Sequence, residues 1–152
     1  GFILGWLFIH GAFMLHLGPM GTGAAIFTVI SVAMTDSFAL ITGRIIGRNQ
    51  FRPILSPKKT WEGVFGGIIA AAIAGYAAQP LLPELTSIEA AILGGVLAIV
   101  GTIGDLSLSM LKRDLGLKDW SAALPGHGGI LDRVDSFIFA APVCYWILLI
   151  IG

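Results

Sequence analysis

Residues 90–111 read AAILGGVLAIVGTIGDLSLSML, an apolar run broken by one charge, Asp105. At about 1.5 Å per residue a helix of this length spans about 33 Å, the thickness of a bilayer's hydrocarbon core. Similar runs occupy Phe2–Leu17, Ala24–Thr42, Val64–Leu82 and Phe137–Ile151, the first and last on the short side. Gly18-Pro19 and the Pro80 to Pro83 segment separate them, as helix-stopping residues should. Composition agrees: 56% of the 152 residues are hydrophobic and only 12% charged, against about 25% charged in soluble domains. The expected fold is therefore all-α, a polytopic transmembrane helix bundle of about five spans.

The charges are concentrated. Seven of the 18 lie between Asp36 and Glu62 and nine between Asp105 and Asp135, leaving Glu84 and Glu89. Arg44, Arg48, Arg52, Lys58 and Lys59 follow the second run, while Lys112, Arg113, Lys118 and Arg133 follow the fourth. Two crossings separate these loops, so both lie on one side, and the positive-inside rule makes that side cytoplasmic. The net charge of zero offers no field to recruit nucleic acid. The first 17 residues lack a basic leader and a small-residue cleavage pattern, so they read as a span rather than a signal peptide. Residues 1–152 are expected to be one domain, and an opening at Gly1 inside an apolar run reads as a fragment of a longer chain. Cys144 stands alone, which excludes an intrachain disulfide framework and fits a small buried or lipid-facing side chain.

Asp36 and Asp105 lie inside apolar runs, eight and seven residues before the next base, hence about 10–12 Å from the cytoplasmic helix ends. A carboxylate at that depth needs a partner or a water-filled cavity. Asp132 and Asp135 share one helix face if the last helix is already wound there. Three or four converging carboxylates repel one another unless a cation sits among them, and hard oxygen ligands suit Mg²⁺, with a second cation as an option. His10 and His16, six residues apart, lie off a common face, which argues against a zinc site. The segment Ser56-Pro57-Lys58-Lys59-Thr60 puts hydroxyls and paired ammonium groups before a helix that Thr60 can cap, a favourable place for an anion. Pro125-Gly126-His127-Gly128-Gly129 permits the close backbone approach of an anion-holding nest, with His127 a phosphate donor or proton handler. Acids for a metal, bases for phosphates and Gly-rich loops on one face are the equipment of metal-assisted phosphoryl or nucleotidyl transfer.

These residues resemble a known family. Ser109-Met110-Leu111-Lys112-Arg113, Lys118-Asp119 and Leu124-Pro125-Gly126-His127-Gly128-Gly129-Ile130-Leu131-Asp132-Arg133-Val134-Asp135 look like the signature of phosphatidate cytidylyltransferase, or CDP-diacylglycerol synthase. Thr35-Asp36-Ser37, Gly43-Arg44, Gly47-Arg48, Ser56 to Gly63 and Gly104-Asp105-Leu106 fall in the family's order. The resemblance implies a C-terminal, membrane-embedded catalytic domain with cytoplasmic active-site loops that converts CTP and phosphatidate to CDP-diacylglycerol and pyrophosphate with Mg²⁺. Carried over by position, Asp105, Asp132 and Asp135 are the expected metal ligands, and with Lys112 and His127 the expected catalytic set. Asp36, Arg44, Ser56, Lys58, Lys59, Thr60, Arg113, Lys118, Gly128, Gly129 and Arg133 are the expected substrate-binding set.

One position departs from the family: Leu108 stands where members often carry Glu, three residues after Asp105 and on its helix face. Other readings are therefore kept open. These are a CTP-dependent enzyme for another lipid phosphate or a polyprenol, a transporter using Asp36 and Asp105, and a silent structural subunit. The expected setting is the bacterial inner membrane, with the active site facing the cytoplasm, CTP, phosphatidate and membrane lipids as partners, and a homodimer as a further expectation.

Overall fold

A run of helices linked by short breaks makes up most of the chain. The computed structural model describes residues 2–15, 19–52, 56–114 and 128–151; the side chains of 2–4, 6–8, 15, 19, 52, 56–58, 112 and 128–135 lie outside that description. Helix α1 (Phe2–Leu15) precedes α2 (Pro19–Ile46), which opens on a proline that has no N–H to leave unpaired in the first turn. Strands β1 (Gln50–Arg52) and β2 (Ser56–Thr60) lead into α3 (Trp61–Ala77), a short 3-10 turn (Gln79–Leu81), α4 (Ser87–Asp114) and α5 (Gly128–Ile151). The Pro80 to Pro83 break falls between α3 and α4 as expected. Thr86 and Glu89 start α4 with a reciprocal capping box: Thr86 N–H donates to Glu89 Oε2 over 2.7 Å, and Glu89 N–H donates to Thr86 Oγ1 over 3.3 Å.

Glycines set the helix pairing. A Cβ on Gly67 would stand 2.7 Å from the Thr35 carbonyl oxygen, and one on Gly94 would stand 2.4 Å from that of Ala71. These helices thus meet backbone to backbone, the packing by which small residues join helices where lipid supplies no hydrophobic force. Gly63 lies against Ala39 and Gly67 against Thr35, so α2 and α3 are antiparallel. Gly94 against Ala71 and Gly75 against Ala90 make α3 and α4 antiparallel as well. It follows that α2 and α4 run in the same direction, and the hairpin and the end of α4 share one end of the bundle. Helix α5 crosses α4 where Gly101 meets Ser136 and Gly104 meets Phe139. Phe27, Leu97, Ala140 and Cys144 are fully buried where α2, α4 and α5 meet. Helix α1 packs on α5, with His10 buried edge-on against Tyr145 at 5.8 Å.

The outer faces are apolar. On α3, Trp61, Phe65, Ile69 and Ile73 recur every four residues and are all exposed, Ile73 at 65%. On α4, Ile88, Ile92, Ile99 and Ile103 form a second such stripe. Contiguous apolar surface of this kind marks a face that is covered by something other than water. Met20–Ile46 and Ser87–Leu111 are long and apolar enough to cross a membrane, whereas Trp61–Ala77 and Ser136–Ile151 are apolar but shorter.

Two features depart from the sequence expectation. A two-stranded antiparallel hairpin, pairing Gln50 with Thr60 and Arg52 with Ser56, interrupts the all-α plan. Its base is clipped: Trp61 N–H donates to the Asn49 carbonyl over 3.0 Å, and Asn49 Nδ2 donates to Glu62 Oε1 over 2.8 Å. Such a clip links residues far apart in sequence and leaves no periodic trace. Helix α5 also begins at Gly128 rather than near Phe137, so Gly128 and Gly129 belong to its first turn instead of a loop. The apolar run understates the helix because its first two turns carry Asp132, Arg133 and Asp135.

Candidate active site

The hairpin is seated on α2 by glycine. Gly43 and Gly47, one turn apart, leave a notch for Thr60: a Cβ on Gly47 would stand 2.7 Å from Thr60 Oγ1. Thr60 is the N-cap of α3, its hydroxyl accepting from Gly63 N–H over 3.1 Å, as its position in the sequence led us to expect. Hydrogen bonds from its own backbone N–H, and then from Asn49 and Arg48, hold the Glu62 carboxyl below the usual carboxylate range. The end of β2 is thereby fixed, and Lys59, the residue before the cap, is carried to the bundle.

There Lys59 Nζ donates to Asp105 Oδ2 and forms an ion pair with it, both side chains being partly exposed. Lys59 of this pair lines a cavity of about 310 Å³ among α2, α3, α4 and the end of β2, together with Thr35, Asp36, Thr60, Gly63 and Thr102 among others. Asp36 lies within electrostatic reach of both Asp105 and Lys59. Of the two acids singled out in the sequence, Asp36 lines the cavity and Asp105 is tied to it through Lys59.

Hydrogen-bond direction defines what this space accepts. Thr35 Oγ1 donates to the Ser31 carbonyl over 2.7 Å, and Thr102 Oγ1 donates to the Ala98 carbonyl over 2.8 Å. Both hydroxyl protons are spent on the helix backbone, so these oxygens offer lone pairs to the cavity. With the Asp36 carboxylate they set hard oxygens into walls that Ala39, Leu40 and Val64 otherwise make apolar, with Lys59 as the cationic counterpart. Among the described residues no three His, Cys, Asp or Glu side chains gather into a metal-binding group. Two carboxylates bridged electrostatically by an ammonium nevertheless fit a cation, because the Lys59 ammonium already stands in for one.

The other expected residues divide clearly. Arg44, in the last turn of α2, and Arg113, near the end of α4, are exposed and do not line the cavity. Ser56 and Lys58 belong to β2, Lys112 to α4, and Asp132, Arg133 and Asp135 to α5, with side chains outside the described set. Lys118 and His127 lie outside the described residues altogether. The helical backbone at residues 132 and 135 meets the condition under which those acids share a face. Asp105 directly follows Gly104, and Asp135 directly precedes Ser136, so both flank the α4–α5 crossing. Leu108 is only 4% exposed and packs inside the bundle rather than lining the cavity. Thr102 escaped the sequence reading, and Thr35 entered it only within the Thr35-Asp36-Ser37 motif without a role, because threonine on an apolar helix gives no signal until its face is known.

Comparison with known proteins gives a consistent picture. The sequence model described as cytidylyltransferase family matches residues 1–151. The uncharacterized protein YnbB of Escherichia coli (strain K12) is 40% identical over 143 residues, covering 91% of this chain and 48% of its own length. Phosphatidate cytidylyltransferase 5, chloroplastic, of Arabidopsis thaliana is 41% identical over 127 residues, 83% of this chain and 32% of that protein. Phosphatidate cytidylyltransferase of Thermotoga maritima is 38% identical over 131 residues, 82% of this chain and 48% of that protein. The chain therefore spans about half the length, or less, of these relatives.

Proposed function

The chain belongs to the cytidylyltransferase family, and from that premise we propose that it forms the catalytic part of a membrane enzyme converting CTP and phosphatidate to CDP-diacylglycerol and pyrophosphate. The observation that carries this reading is the meeting of Lys59 with Asp105 beside Asp36 at one end of an apolar bundle. A largely apolar cavity that holds both signs of charge, set among stripes made for lipid, suits one substrate from water and one from the membrane.

In this reading all five helices cross or enter the bilayer, and the end bearing the hairpin faces the cytoplasm, since Arg44, Arg48 and Arg113 cluster there. A bacterial inner membrane is the setting. A phosphatidate phosphate oxygen attacks the α-phosphorus of CTP, the bond to the β-phosphate oxygen breaks, and pyrophosphate leaves with that electron pair. The attacking oxygen is already anionic near neutral pH, so no activated Ser or Cys is required. Mg²⁺ held by Asp105, Asp132 and Asp135 would neutralise charge developing on the phosphates. Lys59 supplies donors for phosphate oxygens. Lys112, Arg113 and His127 belong to the same proposed phosphate-binding end. The Lys59 ammonium beside Asp105 and Asp36 offsets part of the cost of these charges in lipid, where an isolated carboxylate costs several kcal/mol.

Purified protein in phosphatidate-containing micelles, given radiolabelled CTP and Mg²⁺, is expected to form labelled CDP-diacylglycerol with one pyrophosphate per product. CTP consumption without a CDP-lipid, or transfer to a polyprenol in preference to phosphatidate, would overturn the assignment.

A further inference from the structure

We propose that Lys59 is a displaceable occupant of the cation seat at Asp105: its ammonium holds that carboxylate in the cation-free protein, and a divalent cation arriving there releases it into the cavity to take phosphate oxygens. The inference rests on the proposed nucleotidyl transfer and adds an order of events to it. Three observations support it. Among the described residues Lys59 is the cation paired with Asp105 and acting electrostatically on Asp36, so it occupies the electrostatic position a metal would take. Its backbone is held by the Thr60 cap and the Asn49–Glu62 clip, which leaves side-chain rotation rather than hairpin opening as the route of release. A lysine has a long flexible stem and three rotatable donors, suited to exchange one anionic partner for another. The cavity that Lys59 borders has room to receive it together with part of a phosphate group.

The consequence is a coupling between the two ligands. A cation at Asp105 frees Lys59, and a phosphate that captures Lys59 lowers the competition for Asp105, so each favours the other. A lysine serving only to hold the hairpin would behave in the opposite way, since its loss would loosen the carboxylate and weaken cation binding.

The test uses the full chain in nanodiscs with Mn²⁺ as the probe, its binding followed by electron paramagnetic resonance without nucleotide. Lys59→Met is expected to tighten Mn²⁺ binding about fivefold, the size of a partly exposed ion pair, and Asp105→Asn to weaken it at least as much. In the wild type, labelling of the Lys59 amine by an acylating reagent, read by mass spectrometry, is expected to rise on adding Mn²⁺. The labelling measurement needs no variant and so does not depend on how Lys59→Met folds. Unchanged or weaker Mn²⁺ binding in Lys59→Met, or cation-independent labelling, would overturn the displacement while an effect of Asp105→Asn kept the metal reading intact. Mn²⁺ binding indifferent to Asp105→Asn would instead remove the metal reading itself, and the displacement with it.

Discussion

Replacing Asp105 by Asn is expected to lower CDP-lipid formation by about 10²- to 10³-fold, the usual loss when one preorganised electrostatic group is removed from a transferring centre. The substitution keeps the side chain's size and removes its charge. Lys59 then loses its ionic partner, and the proposed cation loses a ligand on α4. Because both side chains are partly exposed, the ion pair itself contributes little to folding, so the thermal midpoint should move by only a few degrees. A large kinetic defect with a small stability change is the expected signature, read from initial rates and thermal unfolding of the same preparation. An Asn variant with wild-type turnover would remove Asp105 from the active site.

The second large effect concerns architecture. Gly94→Ala is expected to destabilise the bundle by about 3 kcal/mol, at the upper end of ordinary overpacking, because the new methyl would meet the Ala71 carbonyl oxygen at 2.4 Å. That oxygen belongs to helix backbone and cannot rotate away, so α3 and α4 must separate. The neighbouring substitution Gly95→Ala supplies the contrast. A Cβ there finds its nearest neighbours at 3.9 Å, in ordinary contact, and gains helix propensity. Unfolding both variants in mixed micelles should show a large loss for Gly94→Ala and none for Gly95→Ala; equal effects would contradict the observed packing of α3 on α4.

The sequence made the helices legible because hydrophobic length, Pro-Gly breaks and the clustering of bases are all local signals. Antiparallel passage of α2, α3 and α4 follows from short connections, and it places Asp36, Lys59 and Asp105 at one end of the bundle, as charge distribution alone implied. Thr60 was readable as a cap because a hydroxyl followed by a helical run has a defined role. The Asn49–Glu62 clip was not, since Glu62 in a first helical turn reads equally well as a dipole partner. The pairing of Lys59 with Asp105 was also hidden: the bases were assigned to phosphates and the acids to a cation, and 46 positions separate the two in the chain. Leu108 shows a further limit. The family resemblance marked it as a missing acid on the Asp105 helix face, yet the residue is buried against the bundle, and helix periodicity cannot distinguish the cavity side of a face from its packed side.

The most direct test of the proposed centre is an anomalous difference map from crystals of the protein grown with Mn²⁺ and a CTP analogue. The expected result is a cation peak bound by Asp105, Asp132 and Asp135, at about 2.1–2.2 Å from their oxygens as for a small hard cation, with Lys59 turned onto a phosphate oxygen. Carboxylates of Asp132 and Asp135 directed away from Asp105, with no peak beside it, would contradict the account.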